Sequence, residues 1–251
     1  MTSEPGHPSS TGAVRAALIL LAAGSGTRFG HPTNKVFAAL ADRPVVAWSL
    51  DSAQQVPAIS RTLLVISEVD RLVAERCVGL LRRTSGPGAE IVTGGATRHE
   101  SEWLALQHLA DGIAAGDLDV VVVHDAARPL APPALFESVI AAAVRWGGAV
   151  PCRLQRAAIS VNGPMVALGE LVAVQTPQAF CAAPLLAAYT SAQRSGFVGT
   201  DTSSCVEHFG RLRVRCVPGT AQNLKITYVE DLQLASRLLQ QGRDADQRSA
   251  T

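Results

Sequence analysis

The stretch "LILLAAGSGTRFGHPTNKVFAAL", residues 18–40, passes from an unbroken apolar run into a loop holding Gly24, Gly26, Gly30, Arg28 and Lys35. An apolar run without alternation suits a strand buried on both faces, and glycines directly after it suit a turn at that strand's carboxyl end. The design recurs along the chain. Short β-branched runs bounded by turn residues predict strands at 17–21, 61–67, 90–93, 120–123, 149–152 and 213–217. Between them, helical periodicity predicts helices at 45–55, 70–81, 100–109, 133–146, 183–193 and 228–240. Strand and helix alternate, which implies an α/β fold: a single, mostly parallel sheet with helices on both faces. Ligands in such folds bind in the crevice beyond the carboxyl ends of the strands.

A chain of 251 residues accommodates one such domain. The polar ends, residues 1–14 and 241–251, read as disordered tails around a domain over 15–240. Hydrophobic residues at 47% supply a core, whereas aromatics at 4% leave little to stack on bases. A formal charge of +1 argues against nucleic acid or an anionic membrane as partner and favours small-molecule chemistry. Cys77, Cys152, Cys181, Cys205 and Cys216 show no metal-ligand spacing and read as buried thiols in a reducing compartment. With no apolar run long enough for a membrane span and a polar start unlike a signal peptide, a cytoplasmic location is expected.

Two further stretches place polar residues where strands end, and a third is a short polar break before the last helix. In the opening loop, Gly24 and Gly26 let backbone N–H groups approach phosphate oxygens, although a plain strand-to-helix turn would look alike. Phe29 stands where a dinucleotide fingerprint wants a third glycine, and no Gly-Lys-Ser/Thr follows, so neither that motif nor a P-loop fits. What distinguishes the loop is Arg28 and Lys35, cations suited to charge that develops on a polyphosphate. "VVVHDAARP", residues 121–129, ends a strand on Asp125, a candidate Mg²⁺ ligand, with Arg128 as a further cation. A helix cap is the other reading of Asp125, and His124 reads as a core histidine. "TGGATRHES", residues 93–101, sets Arg98 and Ser101 after a glycine pair, and "NLKIT", residues 223–227, offers Lys225. Taken singly, these two are a turn and a surface lysine.

Taken in order, "AAGSGTRF" with Lys35, "GGATRHES", "HDAARP", "VQTPQAF", "GTDTSS" and "NLKIT" resemble the cytidylyltransferase family that makes CDP-methylerythritol, and its relatives that make CDP-ribitol. The likeness covers roughly residues 15–240. It implies a Rossmann-like sheet, a projecting arm at about 152–174 that makes a homodimer, and Mg²⁺-dependent transfer of CMP from CTP to a polyol phosphate with release of pyrophosphate. On that resemblance Ala22, Ala23, Gly24, Ser25 and Gly26 contact the nucleotide, as do Gly95, Arg98, Ser101 and Ala126. Arg28, Lys35 and Lys225 serve the transition state, Asp125 the metal, and Arg128 and Thr200 the acceptor. No strong general base is needed, because the acceptor phosphate is already anionic.

The departures from the family pattern lie mainly on the acceptor side. Leu154, Gln155 and Arg156 replace the usual Asp-Thr and lysine, and no arginine occurs between Arg156 and Gln175. Asn34 precedes Lys35 where proline is usual, Val36 follows it where glutamine is usual, and Thr202-Ser203 stand where an acidic residue and alanine are common. The expected acceptor is methylerythritol 4-phosphate, with ribitol 5-phosphate or another polyol phosphate as the alternative and a degenerate nucleotide-binding paralogue as the non-enzymatic one.

Overall fold

The computed structural model describes residues 13–24, 29, 34–85, 88–155, 171–199, 201–210 and 212–249. Of the residues singled out above, Ser25, Gly26, Arg28, Arg156 and Thr200 lie outside this set, as does arm segment 156–170. The described elements run β1 (Ala16–Leu21), β2 (Ala39–Leu40), β3 (Arg43–Pro44), α1 (Val45–Gln54), β4 (Ile59–Ile66), α2 (Arg71–Ser85), β5 (Glu90–Thr93) and α3 (Arg98–Ala114). They continue with β6 (Val120–Asp125), α4 (Pro133–Trp146), β7 (Gly147–Leu154), β8 (Val172–Val174), β9 (Gln178–Cys181), α5 (Ala182–Ser195), α6 (Thr202–Phe209), β10 (Arg213–Pro218) and α7 (Val229–Ser249).

Eight strands form one sheet in the order β10-β7-β9-β6-β1-β4-β5, with β8 paired to β7. The expected mostly parallel α/β sheet is present. β1 lies parallel between β4 and β6, β5 extends β4, and β10 runs parallel to β7. The apolar run that opened the sequence is therefore the middle of the sheet. Ala16, Leu18 and Leu20 pack on one face with Leu50, Phe136 and Val139, while Ala17 and Ile19 pack on the other with Leu106, Leu185 and Tyr189. β6 repeats this, Val120 and Val122 on the first face and Val121 and Val123 on the second. Period-two projection into two dry layers makes an unbroken apolar run the right sequence for each strand.

Several elements differ from expectation. β9 was not predicted: its four residues pair antiparallel with both β6 and β7, and so short a run carries no alternation to detect. β8 pairs antiparallel with the end of β7, so the arm starts as a two-stranded ribbon. α6 was also missed; Asp201 caps it, accepting from Ser204 N while Ser204 Oγ accepts from Asp201 N. α7 continues through Ser249, so the tail expected over 241–251 is helical to that point; "QQGRDADQRS" has no apolar stripe for periodicity to find, but Gln, Arg and Ala are good helix formers. At the end of α4, Gly147 takes φ +101°, and a Cβ there would sit 2.8 Å from Leu212 Cδ2.

The reading of all five cysteines as thiols is corrected for two of them. Cys152 and Cys216 form a disulfide with Cα atoms 5.5 Å apart. The register of β7 and β10 sets Cys216 opposite Val150, two positions from Cys152, so both side chains leave the same face of adjacent strands. Cys77, Cys181 and Cys205 remain thiols. Among the described residues no helix is long and apolar enough to cross a membrane.

His99, on α3, is 3% exposed, stacks on Tyr189 with centroids 4.8 Å apart, and has no hydrogen-bond partner on either ring nitrogen. Burial lowers its pKa. Below about pH 6.5 the unfolded chain takes up a proton that the buried ring resists, so stability conferred by neutral His99 is present above that pH and lost as pH falls. In urea unfolding between pH 7 and 5, His99→Phe is expected to reduce the slope of stability against pH by up to about one proton. An unchanged slope would refute the assignment.

Candidate active site

The carboxyl ends of β1, β5 and β6 open into a cavity of about 620 Å³. Ala22, Ala23 and Gly24 follow β1 along its wall, Gly95, Arg98 and Ser101 follow β5, and Asp125 closes β6. Lys35 and Lys225 come from outside the sheet to complete it. A Cβ placed on Gly24 would meet nothing within 4 Å, so that glycine faces open space at the cavity floor.

Local chemistry fixes each of these groups. Asn34 donates from Nδ2 to Ala22 O at 2.9 Å and to Asp70 Oδ2 at 2.8 Å, and its Oδ1 accepts from Val36 N at 3.3 Å. The turn carrying Lys35 is thereby tied to the loop after β1, a task for which proline has no donor. On the opposite wall, Thr97 caps α3 by accepting from Glu100 N, and Glu100 Oε2 accepts from Ala96 N at 2.8 Å. Ser101 Oγ accepts from Gly95 N at 3.1 Å, drawing the glycine pair onto the helix. A Cβ at Gly94 would lie 2.7 Å from Ser101 Oγ and 2.9 Å from Ala23 Cβ, and one at Gly95 would collide with Glu100. Only glycine permits this approach.

Asp125 is the electrostatic centre. Its side chain is 7% exposed, and Arg98 Nη1 donates to Oδ1, Lys225 Nζ lies 2.8 Å from Oδ2, and Arg128 Nε lies 3.6 Å from Oδ2. Burial opposes the charged form, but Arg98, then Lys225 and Arg128, outweigh it and hold the carboxyl well below the usual range. The three cations come from segments far apart in sequence, and hydrogen bonds to backbone carbonyls tie the segments of Arg128 and Lys225 together. Ile226 N donates to Ala127 O at 2.8 Å, Arg128 Nη1 to Asn223 O at 2.8 Å, and Asn223 Nδ2 to Thr176 O at 2.9 Å.

His124 is a core histidine, as its sequence context suggests. Thr176 Oγ1 accepts from Asp125 N at 3.0 Å and donates to His124 Nδ1 at 3.0 Å, which leaves the proton on Nε2 facing Arg128 O at 3.2 Å. Burial pushes its pKa down to about 3. A ring that is neutral and bonded at both nitrogens is a strut behind Asp125, not a proton carrier.

The structure thus gathers Ala22, Ala23, Gly24, Lys35, Gly95, Arg98, Ser101, Asp125 and Lys225 around one cavity. Ala126 points elsewhere: its side chain is buried in the core and its N–H donates to Leu21 O. Arg128 is turned inward onto Asn223 and Asp125. Asn34, Thr176 and Asn223 are structural members of the site to which sequence reasoning gave no role, although all three lie in or beside the quoted motifs. As a metal ligand Asp125 is a lone carboxylate, and among the described residues no group of three or more His, Cys, Asp or Glu could hold an ion. A hard cation that takes one carboxylate and completes its shell with phosphate oxygens and water fits such a site.

A family model for 2-C-methyl-D-erythritol 4-phosphate cytidylyltransferase (IspD) matches residues 16–241. The protein of that description from Bacillus cereus is 34% identical over 227 residues, covering 88% of this chain and 96% of that one. Its counterpart from Geobacillus kaustophilus is 33% identical over 226 residues, covering 88% and 95%. Among solved structures, 4-diphosphocytidyl-2C-methyl-D-erythritol synthase from Anaerococcus prevotii superposes with a TM-score of 0.75 at 26% identity, covering 91% of this chain and 97% of that one. The Thermus thermophilus 2-C-methyl-D-erythritol 4-phosphate cytidylyltransferase gives 0.65 at 28%, covering 88% and 98%.

Asp125→Asn keeps the shape of the side chain and strands its cations. Breaking a buried ion cluster from one side is expected to lower stability in urea unfolding by about 3 kcal/mol. An unchanged midpoint would mean that solvent, not Asp125, balances those cations.

Proposed function

The chain belongs to the 2-C-methyl-D-erythritol 4-phosphate cytidylyltransferase family, and we propose that the cavity beyond β1, β5 and β6 is where it moves CMP from CTP to 2-C-methyl-D-erythritol 4-phosphate. It is a nucleotidyltransferase that releases pyrophosphate. The observation that carries the site assignment is the convergence of Arg98, Arg128 and Lys225 on one buried carboxylate beside a glycine floor. Such a site favours a highly charged anion over a neutral substrate.

In the reaction an oxygen of the acceptor phosphate attacks the α-phosphorus of CTP, and the bond to the β-phosphate breaks. Negative charge shifts to the leaving pyrophosphate. Lys35 and Lys225, which line the cavity, would neutralise charge at the α-phosphorus together with Arg28, assigned from the resemblance alone, while Arg98, Ser101 and Gly95 would hold the nucleotide. Arg128 and Thr200 serve the acceptor side. No group needs to take a proton, in keeping with a neutral, doubly bonded His124. Asp125 would hold Mg²⁺, which when bound would supply further charge neutralisation. Catalysis then consists of positioning and preorganised charge.

We also assign a homodimer built on the arm. Leu154, Leu171, Val172 and Val174 on the β7–β8 ribbon are 40–56% exposed, an apolar strip on a strand pair that a second subunit would cover. Sedimentation at micromolar concentration is expected to give a dimer, and a monomer would overturn this assignment.

Pyrophosphate release with CTP and Mg²⁺ is expected with 2-C-methyl-D-erythritol 4-phosphate and not with ribitol 5-phosphate. The reverse pattern would reassign the acceptor. Lys35→Ala and Lys225→Ala are each expected to lower kcat by on the order of 10² or more with a smaller loss of CTP binding. Wild-type turnover in either would remove its catalytic role.

A further inference from the structure

Behind Arg98 lies a second carboxylate that the reaction above does not use. Glu102, one turn along α3, is 1% exposed, and its Oε1 lies 2.9 Å from Arg98 Nε. Two hydroxyls aim at it from separate helices. Tyr189 of α5 donates to Oε2, and Thr202, the first residue of α6, donates to Oε1 at 2.9 Å. Both are fully buried. Thr202 is itself fixed, because Asp201 caps α6 and accepts from Gln178 Nε2 at 3.2 Å.

A buried carboxylate is costly unless paired, and an apolar residue would fill this gap between α3, α5 and α6 more cheaply. What Glu102 touches on the site side is the guanidinium of Arg98. That guanidinium is shared, its Nε edge toward Glu102 and its Nη1 toward Asp125. Were Asp125 to hold a metal ion, Arg98 would lose one of its two carboxylate partners. Without the other, it would either follow Asp125, competing with the cation, or swing away from the nucleotide.

We propose that Glu102, oriented by Tyr189 and Thr202, is a positioning residue: it anchors Arg98 at the cavity wall so that Asp125 can exchange Arg98 for the metal and triphosphate while the guanidinium stays in place. This rests on the functional reading above and adds the group that sets nucleotide and metal affinity from behind the site.

The test compares wild type with Glu102→Gln, which keeps shape and replaces the carboxyl group by an amide, and Tyr189→Phe, which keeps the carboxyl group and removes one of its hydrogen-bond partners. Initial rates are measured against CTP, 2-C-methyl-D-erythritol 4-phosphate and Mg²⁺. Glu102→Gln is expected to raise the KM for CTP and the half-saturating Mg²⁺ concentration by about tenfold, the acceptor KM moving by less than about twofold. Tyr189→Phe shifts the same two quantities in the same direction, by less. A purely structural role would lower the amount of active enzyme, and so kcat, leaving both affinities unmoved. That result overturns the proposal. If Glu102→Gln does not fold, Tyr189→Phe and Thr202→Val decide on the same readouts. If wild type turns over no acceptor, the functional reading fails on its own, and calorimetric CTP binding with Mg²⁺ still decides: weaker binding in the variants supports the anchor, equal binding refutes it.

Discussion

The site depends on one ionised carboxylate. Asp125 sits at the end of a fully buried strand, where an isolated carboxylate would take up a proton, and it stays charged because guanidinium and ammonium groups reach it from α3, from the loop after β6 and from the segment before α7. The relation is mutual. Without Asp125, cations that belong beside a triphosphate would repel one another. The cluster is a poor device for stability, since apolar packing would do as well. It is a good device for keeping positive charge assembled until an anion arrives.

The sheet order explains how such distant segments meet. β6 lies beside β1 and β9, so the loops after β1 and β6 share one edge, and the antiparallel entry of β9 brings Gln175 and Thr176 to the same edge from the opposite direction. Gln175 Nε2 donates to Thr220 O at 2.9 Å and Asn223 O at 3.1 Å, so the segment that carries Lys225 is held by the chain that enters β9. The ribbon of β7 and β8 leaves the sheet two strands away. The cavity wall is thus built from the loops after β1, β5 and β6, while β7, β9 and β10 form the other side of the sheet.

This division accounts for what could be read from sequence. Asp125 was legible because an apolar run that ends on a carboxylate at a strand terminus is a local signal. Arg98, Ser101 and Lys225 were not legible singly, as a turn and a surface lysine; the order of motifs picked them out, and the fold brings Lys225 2.8 Å from Asp125. Glu102, Tyr189 and Thr202 carry no local signal, since the partners of Glu102 lie 87 and 100 residues away. The disulfide was hidden for the same reason, its cysteines standing 64 residues apart on β7 and β10, which only the fold sets side by side. Asn34 shows the converse. It departs from the family pattern before Lys35, yet its amide makes contacts to Ala22 and Asp70 that hold the lysine's turn in place.

The resting arrangement also bears on how the cavity responds to substrate. Each cation that would meet the triphosphate or the transition state through this cluster already has a carboxylate partner, so binding is an exchange of one anion for another and not a capture of solvated charge. Such an exchange requires little reorganisation, because the cations keep nearly the same positions while the anion between them changes. On the proposed reading it also sets a selectivity, for an anion must compensate them better than Asp125 does, a condition that suits a polyphosphate with several charged oxygens. The neutral His124 behind Asp125 fits the same logic: a second titrating charge there would disturb the balance on which the exchange relies, and its burial keeps it silent.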